Sequence, residues 1–413
     1  MKLNSKLVKV SLLILTIIYC LIETLNHQDF DIFILATKDF LNGGNIYINT
    51  YESGFHYFYG AIFATIISPL TFIPIYLARI IWIGINVLAL IRTWKLLIPY
   101  FDLTFFSINQ KKWFYAFCIF FSLTLVQDNL HNGQVTIILL FFMLEGLRLI
   151  ELNKKYNGAL LIALGISIKL LPLIIITYLF FIKEFKAIAL ILLFFCIFLI
   201  LPSVIIGFEN NNYLLLEWWH LINPTNTAHV IDTDETTLNG LTTLIPTLFM
   251  EHVPDIHALN IKRNILDLNE KTIGLIINGI RLVLILLTLY FLRRLPFRRA
   301  QTKLHAIWEL SYILLVIPMI FPHQQHYAFL LGMPASFYCI YWLFIQKLQI
   351  TKTQYYIRIV LISLIYLCFN IHLILGEFRE YYDHFKIISY GSILLVILIS
   401  ICKPSSNSKI NNK

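Results

Sequence analysis

Long apolar runs recur through this chain of 413 residues, and they limit its possible folds more than any other feature. The bilayer core offers no hydrogen-bond partners to the backbone, so such runs are stable in lipid only as helices. Charged residues make up 13% of the chain, against about 25% in globular proteins. The sequence therefore predicts an all-α polytopic membrane protein with about 12 transmembrane helices. The predicted spans are 7–25, 74–96, 113–127, 134–150, 157–168, 170–182, 187–206, 272–292, 305–322, 326–345, 356–375 and 386–402.

The basic residues indicate how the chain is threaded. The net charge of +9 comes from Lys and Arg that lie between apolar runs, not on one basic face. This pattern argues against nucleic-acid binding and is typical of cytoplasmic loops. We expect one integral domain over 1–402 in the plasma membrane, with both termini cytoplasmic, outer loops at 26–73 and 207–271, and a disordered cytoplasmic tail at 403–413.

The first outer loop has a helical pattern of its own. Apolar residues recur at helical spacing over 29–41, which predicts a helix lying in the membrane interface with its apolar side toward lipid. Residues 57–70 are apolar enough to dip into the membrane without crossing it.

A lysine and a proline interrupt the apolar stretch 157–182. Lysines flank this stretch at both ends, so the positive-inside rule places both ends in the cytoplasm. Because proline interrupts a helix, we expect a broken hairpin with Lys169 and Pro172 at its tip. A lysine at this depth is costly in hydrocarbon, and it should face protein, water or an anion.

The sequence offers little support for a metal site. The six cysteines lie in or beside apolar runs and form no Cys-x-x-Cys pair, so we interpret them as small hydrophobic residues. His323 and His326 have a spacing that allows metal binding from one helix face, but two histidines without a third ligand are a weak signal. We expect neither a metal nor another cofactor.

The predicted topology collects most of the unusual polar residues on the outer side. A carboxylate there can accept a proton from a sugar hydroxyl, while a lysine and histidines can stabilise a leaving phosphate. Asn and Gln side chains suit sugar hydroxyls. Simpler readings stay open, since an acid pair after a span often caps a helix and amides often hold turns or helices together. The candidates are Asp29, Asp31, Asn129, Asn132, Gln134, Lys169, Asn239, His323 and His326.

At these residues the sequence resembles glycosyltransferase family 87, the polyprenyl-phosphate-mannose-dependent α-mannosyltransferases of the GT-C superfamily. Four local patterns in the same order carry the resemblance, together with a histidine after a proline-bearing span. They are Asp29-Phe30 with Ala36, Gly43, Tyr47 and Pro69-Leu70; Asn132-Gly133-Gln134; Gly158, Gly165, Lys169, Leu170 and Pro172; and Thr237-Leu238-Asn239-Gly240, with His326 as the histidine.

The resemblance implies a GT-C-like fold and hexosyl transfer, with mannose moving from a polyprenyl-phosphate donor to a lipid or glycan acceptor. Asp29 would be the general base of an inverting reaction. Asp31 is its alternative, turned about 200° away on a helix. Lys169 and His326 would hold the phosphate, and Asn132, Gln134 and Asn239 would shape the sugar pocket. The implied partners are membrane lipids, the lipid-linked sugar and the acceptor.

Two other functions use the same residues. A transporter or flippase for lipid-linked or anionic sugars would use Lys169 and the acids as its binding site. A polymerase or ligase of cell-surface glycans would also have many spans and a large outer loop. The sequence lacks the internal repeat that many transporters have.

Overall fold

The computed structural model describes residues 14, 16–26, 29–51, 54–223, 231–233, 237–253, 255, 258–292, 299–300, 302–346 and 350–404. Within these ranges the regular secondary structure is helical, apart from two isolated β-bridges. The helices are α1 (16–23), α2 (Asp29–Leu41), α3 (Ala61–Ile67), α4 (Ile75–Leu97), α5 (Ile108–His131), α6 (Thr136–Glu151), α7 (Lys155–Ile168), α8 (Ile175–Phe181), α9 (Phe185–Ile200), α10 (Ser203–Ile206), α11 (Phe208–Ile222), α12 (Leu241–Phe249), α13 (Glu270–Leu292), α14 (Lys303–Ile320), α15 (Met333–Gln346), α16 (Lys352–Asn370), α17 (Arg379–His384) and α18 (Ile387–Ile401).

Six helical segments among the described residues are long and apolar enough to cross a membrane, and two bent helix pairs raise the number to eight. The prediction of an all-helical membrane protein is therefore confirmed, while a dozen spans stays a prediction. Part of the run 7–25 lies outside the described residues. The six segments are Ile75–Tyr100, Phe185–Ile206, Glu270–Leu292, Lys303–Ile320, His326–Gln346 and Lys352–Leu373.

The helices group into two compact units, each assembled from separate stretches of the chain. Unit 1 comprises Met1–Lys95, Gln127–Pro172 and Ala189–Asn223, and unit 2 comprises Leu96–Val126, Leu173–Ile188 and Pro224–Lys413.

An aromatic cluster forms the centre of unit 1. Phe30 of α2 stacks on Trp82 of α4 with ring centroids 5.2 Å apart, and Phe33 meets the Tyr59 ring edge-on at 4.7 Å. Phe63 of α3 lies 5.2 Å from Phe33. Offset and edge-on contacts of this kind stabilise aromatic cores beyond the area they bury. The cluster fixes α2 against α3 and α4.

Helix α2 confirms the predicted helix over 29–41, but the predicted lipid contact of its apolar side is wrong. Phe30 and Phe40 are completely buried within the protein, and Phe33 is 2% exposed. The apolar side faces the aromatic cluster because packing against rings buries it as completely as lipid would. The segment 57–70 likewise contributes buried residues of α3 to this core.

Helix α7 ends where the sequence places the tip of the broken hairpin. Ile168 is its last residue, and Lys169 is extended with φ −148° and ψ 133°. A short 3₁₀ turn over Leu171–Ile174 follows. Pro172 cannot donate the backbone hydrogen bond that a continuing helix requires. The helix break is confirmed, and the hairpin itself stays a prediction.

Unit 2 has a buried centre and helices with exposed apolar sides. Trp308 of α14 is buried and donates from Nε1 to the Ile399 carbonyl oxygen of α18 at 2.9 Å. Tyr312 stacks on Phe291 of α13 with ring centroids 3.9 Å apart. Side chains of α13 such as Leu282 stay more than half exposed, which is expected of a helix that faces lipid.

The long outer loop predicted over 207–271 contains helices α11 and α12. Trp218 of α11 is buried in unit 1, whereas Trp219 is 54% exposed. Residues 224–230 and 234–236 of this loop lie outside the described residues, as does most of the predicted tail, from residue 405 onward.

Candidate active site

Asp29 is the first residue of α2, and a neighbouring turn caps this helix start. Its backbone N–H donates to the Asn132 carbonyl oxygen at 3.0 Å. The positive end of a helix favours a carboxylate in its first turn. Asp29 is partly buried, so part of the residue remains accessible.

A glutamine from the 129–134 turn holds the Asp29 carboxylate. Gln134 is 1% exposed, and its Nε2 donates to Asp29 Oδ2. The Tyr59 hydroxyl donates to Gln134 Oε1 at 2.9 Å. The two bonds together fix which end of the amide faces the acid, since the oxygen accepts from the tyrosine and the nitrogen donates to the carboxylate. Asp29 is therefore oriented through Gln134 by Tyr59.

Lys169 reaches the same tyrosine from the end of α7. Its Nζ lies 5.5 Å from the centroid of the Tyr59 ring, within the range of a cation–π contact. The hydroxyl of Tyr59 contacts Gln134, which holds the Asp29 carboxylate, and the ring of Tyr59 contacts the Lys169 ammonium group. We name this chain Asp29–Gln134–Tyr59–Lys169 the polar chain; all four residues belong to unit 1.

Gly60 keeps the backbone of Lys169 close to Tyr59. The Gly60 N–H donates to the Ile168 carbonyl oxygen at 3.0 Å. A Cβ at Gly60 would lie 2.1 Å from the carbonyl oxygen of Ser167, which no side chain allows. Glycine at this position lets the two backbone segments touch.

Asp31 lies in a different environment from Asp29. It is 3% exposed and forms a bidentate ion pair with Arg79 of α4. Arg79 Nε donates to Asp31 Oδ1 at 2.9 Å, and Arg79 Nη2 donates to Asp31 Oδ2. Arg79 also donates from Nη1 to the Thr24 carbonyl oxygen at 3.0 Å. The Asp31 carboxylate is thus committed to a buried pair, and Asp29 is the acid on the polar chain.

Asn129 and Asn132 contribute backbone contacts to the 129–134 turn. The Asn129 carbonyl accepts from the Gln134 N–H at 2.9 Å, and the Asn129 side chain is completely buried. Gly133 adopts φ +63° in the turn, and its carbonyl oxygen accepts from Trp82 Nε1 at 2.6 Å. The sugar contacts predicted for the side chains of Asn129 and Asn132 stay predictions.

Tyr59 is the member of the polar chain that the sequence does not indicate. It lies in the tyrosine-rich stretch 47–59, and its carbonyl oxygen accepts from the Tyr47 hydroxyl at 3.1 Å. Burial raises the pKa of the Tyr47 and Tyr57 phenols above the ordinary value for tyrosine. The stretch 47–59 contains four tyrosines, and only its contacts distinguish Tyr59 from the other three.

Asn239 and His323 both form contacts with neighbouring residues of unit 2. The Asn239 N–H donates to the Gln324 carbonyl oxygen at 2.9 Å, beside the bridge between Leu238 and Gln325. His323 has φ +53°, and its Nδ1 lies 3.2 Å from Asp232 Oδ1. The sugar-binding role of Asn239 and the phosphate-binding role of His323 stay predictions.

His326 begins the 3₁₀ helix His326–Gly332 and is 3% exposed. Its Nε2 lies 3.2 Å from Asp383 Oδ1, and its ring centroid is 5.5 Å from that of His372. His323 precedes this helix in a left-handed conformation. The two histidines therefore do not share one helix face, and the arrangement that the HxxH spacing would allow is absent from this described segment.

Comparison with known families identifies the class of enzyme. The model of glycosyltransferase family 87 matches residues 57–322, which is more than half of the chain. The chain belongs to glycosyltransferase family 87. It is therefore a membrane glycosyltransferase, as the sequence patterns indicated. No curated protein and no solved structure matches it.

The matched range contains three members of the polar chain, namely Tyr59, Gln134 and Lys169. Asp29 lies upstream of it, and His323 and His326 lie just beyond its end. Asp29 is linked to the matched range through its hydrogen bond with Gln134.

Removing the Tyr59 hydroxyl should slow sugar transfer without removing the cation–π contact. Tyr59→Phe leaves the Gln134 amide without its orienting donor, so kcat should fall about five- to tenfold, the worth of a hydrogen bond of roughly 1–1.4 kcal/mol. The donor KM should stay unchanged because the ring still faces Lys169. Steady-state kinetics of the purified glycosyltransferase measures both quantities.

Tyr51→Phe is the matched control, because the Tyr51 hydroxyl bonds Asp39 at 3.1 Å outside the polar chain. Equal kcat values for the two variants would contradict a role of Tyr59 in orienting Gln134.

Proposed function

We propose that this glycosyltransferase moves mannose from a polyprenyl-phosphate donor to a lipid or glycan acceptor on the outer face of the plasma membrane. The observation that carries the proposal is the polar chain, which holds a carboxylate and an ammonium group around one tyrosine. Glycosyl transfer with inversion needs a proton acceptor for the nucleophile and a positive charge for the departing phosphate.

In the proposed reaction, the acceptor oxygen attacks C1 of the sugar from the side opposite the phosphate. The C1–oxygen bond to phosphate breaks, and polyprenyl phosphate leaves with the electron pair. Asp29 takes the proton of the acceptor hydroxyl, using the oxygen that does not accept from Gln134. Lys169 offsets the negative charge that develops on the phosphate.

The membrane setting suits a donor with a long apolar tail. The spanning helices expose apolar side chains that a polyprenyl chain dissolved in the lipid can contact. Basic residues between the spans favour an outward-facing site. A GT-C-like arrangement of about a dozen spans is part of this proposal, as are the contacts of His326 with phosphate.

The proposed donor is tested directly with purified protein. Incubation with polyprenyl-phosphate mannose and a lipid extract of the source cells should yield a lipid that carries one additional hexose by mass spectrometry. Movement of the intact donor across the membrane of reconstituted vesicles, without a glycosylated product, would instead favour a flippase for lipid-linked sugars.

Lys169→Met should weaken donor binding while preserving the fold. The substitution keeps the length and apolar stem of the side chain but removes the charge. Losing one charged contact to phosphate should raise the donor KM about ten- to a hundredfold. Lys38→Met, at an exposed lysine in the last turn of α2, is the control. A donor KM equal to that of the parent would remove Lys169 from the phosphate site.

A further inference from the structure

Two arginines of unit 1 share one carboxylate. Arg92 of α4 donates from Nη2 to both oxygens of Glu145 on α6, at 3.0 and 3.2 Å. Arg148, one turn further along α6, donates from Nε and Nη2 to the same two oxygens at 2.8 and 2.6 Å. We name Arg92, Glu145 and Arg148 the arginine triad. It combines two positive charges with one negative charge, so one positive charge is left over.

The arginine triad can bind a further group. The side chains of Arg92 and Arg148 are 43% and 36% exposed, whereas that of Glu145 is 11% exposed. Among the described residues, neither guanidinium group donates to an acceptor other than Glu145. Each guanidinium has five N–H groups, so several of them are available to a ligand. A phosphate with one negative charge fits best, because arginine binds phosphate through pairs of N–H groups and the leftover charge would be cancelled.

A row of exposed apolar side chains on α4 leads to the arginine triad. Ile81, Ile85 and Leu88 are exposed, and with Arg92 they follow a spacing of four, three and four residues. Residues at this spacing lie on one side of a helix. The row extends roughly 16 Å from Ile81 to Arg92, close to half of a bilayer core about 30 Å thick. A phospholipid with an acyl chain along this row therefore brings its phosphate to Arg92.

The arginine triad is separate from the polar chain. Arg79 and Trp82 of α4 contact Asp31 and the Gly133 carbonyl oxygen, next to the polar chain. Arg92 lies at least ten residues further along the same helix, or about 15 Å along its axis. A phosphate at the arginine triad is therefore a second one, distinct from the phosphate of the sugar donor.

Exposed lysines flank the arginine triad. Lys95 lies in the last turn of α4, and Lys154 immediately precedes α7. Glu151 at the end of α6 is also exposed, but the two lysines outweigh it. The positive-inside rule places such basic residues at the cytoplasmic side, and the cytoplasmic leaflet is the one whose anionic lipids attract them.

We propose that the arginine triad binds the phosphate of an anionic phospholipid, with one acyl chain along Ile81, Ile85 and Leu88. Phosphatidylglycerol has the required chemistry, since it has one negative charge and no cationic headgroup. Phosphatidylcholine would bring a quaternary ammonium group towards two arginines. The bound phosphate joins α4 to α6.

Native mass spectrometry of the full-length protein tests the proposal, with phosphatidylglycerol and phosphatidylcholine of identical acyl chains as probes. The Kd of the first phosphatidylglycerol should be at least about fivefold lower than that of phosphatidylcholine. Arg92→Gln and Arg148→Gln should each raise the Kd for phosphatidylglycerol about five- to tenfold and leave that for phosphatidylcholine unchanged. Both variants leave Glu145 one arginine. Equal Kd values for the two lipids on the parent, or an unchanged Kd for phosphatidylglycerol in either variant, would overturn the proposal.

Glu145→Gln separates lipid contact from helix packing. It breaks the same ion pairs but keeps both arginines, so phosphatidylglycerol should still bind with a Kd no higher than on the parent. A Kd raised as much as in Arg92→Gln would show that the arginine triad only packs α4 on α6, and would overturn the proposal.

Arg358→Gln is the matched control for total charge, because Arg358 of α16 donates to the Gln354 and Ile401 carbonyl oxygens. Its Kd for phosphatidylglycerol should equal that of the parent, and an increase as large as in Arg92→Gln would overturn a specific site. Inorganic phosphate should not displace the lipid, since it lacks the acyl chains that contact α4. Displacement at equal concentration would overturn the phospholipid as the ligand.

Discussion

Asp29→Asn is expected to lower the rate of mannose transfer by at least about 100-fold, the low end of what general-base catalysis supplies. Asparagine is nearly isosteric with aspartate, and its oxygen can still accept from Gln134 Nε2. The polar chain should therefore persist while the group that takes the proton is lost. Single-turnover transfer with purified protein measures the rate, and donor binding should remain that of the parent.

Asp39→Asn is the matched control for this prediction. It is the same substitution on the same helix, where the carboxylate accepts from Asn49 and Tyr51 at 3.0 and 3.1 Å. A rate in Asp29→Asn close to that of the parent would show that another group takes the proton.

Asp31→Asn is expected to destabilise the protein by about 3–5 kcal/mol, the cost of breaking a buried ion pair by removing one partner. The side chains of Asp31 and Arg79 are 5% and 9% exposed, so the arginine would keep its charge in a nearly dry environment. Thermal unfolding in detergent should show a lower Tm. The transfer rate per folded molecule should stay near that of the parent, because the Asp31 carboxylate faces Arg79.

The double variant Asp31→Leu with Arg79→Met separates a charge effect from a packing effect. Replacing both partners removes the buried charge, so much of the lost stability should return. A well-folded Asp31→Asn protein that transfers no sugar would assign the base to Asp31 instead.

Local features of the sequence determined the helices and the break at Lys169. Apolar runs such as 74–96 and 272–292 correspond closely to α4 and α13, because transfer into lipid depends on the composition of a single segment. Pro172 ends a helix through its own covalent geometry. Helical spacing also correctly predicted that Asp29 and Asp31 face different surroundings.

The contacts that give those residues their environments were decided only by the tertiary structure. The partner of Asp31 is 48 residues away, and Gln134 is 105 residues from Asp29. No local periodicity carries such pairings, since a helix pattern shows that a face is apolar but not what covers it. For this reason the sequence placed the apolar side of α2 against lipid and did not indicate Tyr59. The structure supplies an aromatic cluster for α2 and a hydroxyl that orients Gln134.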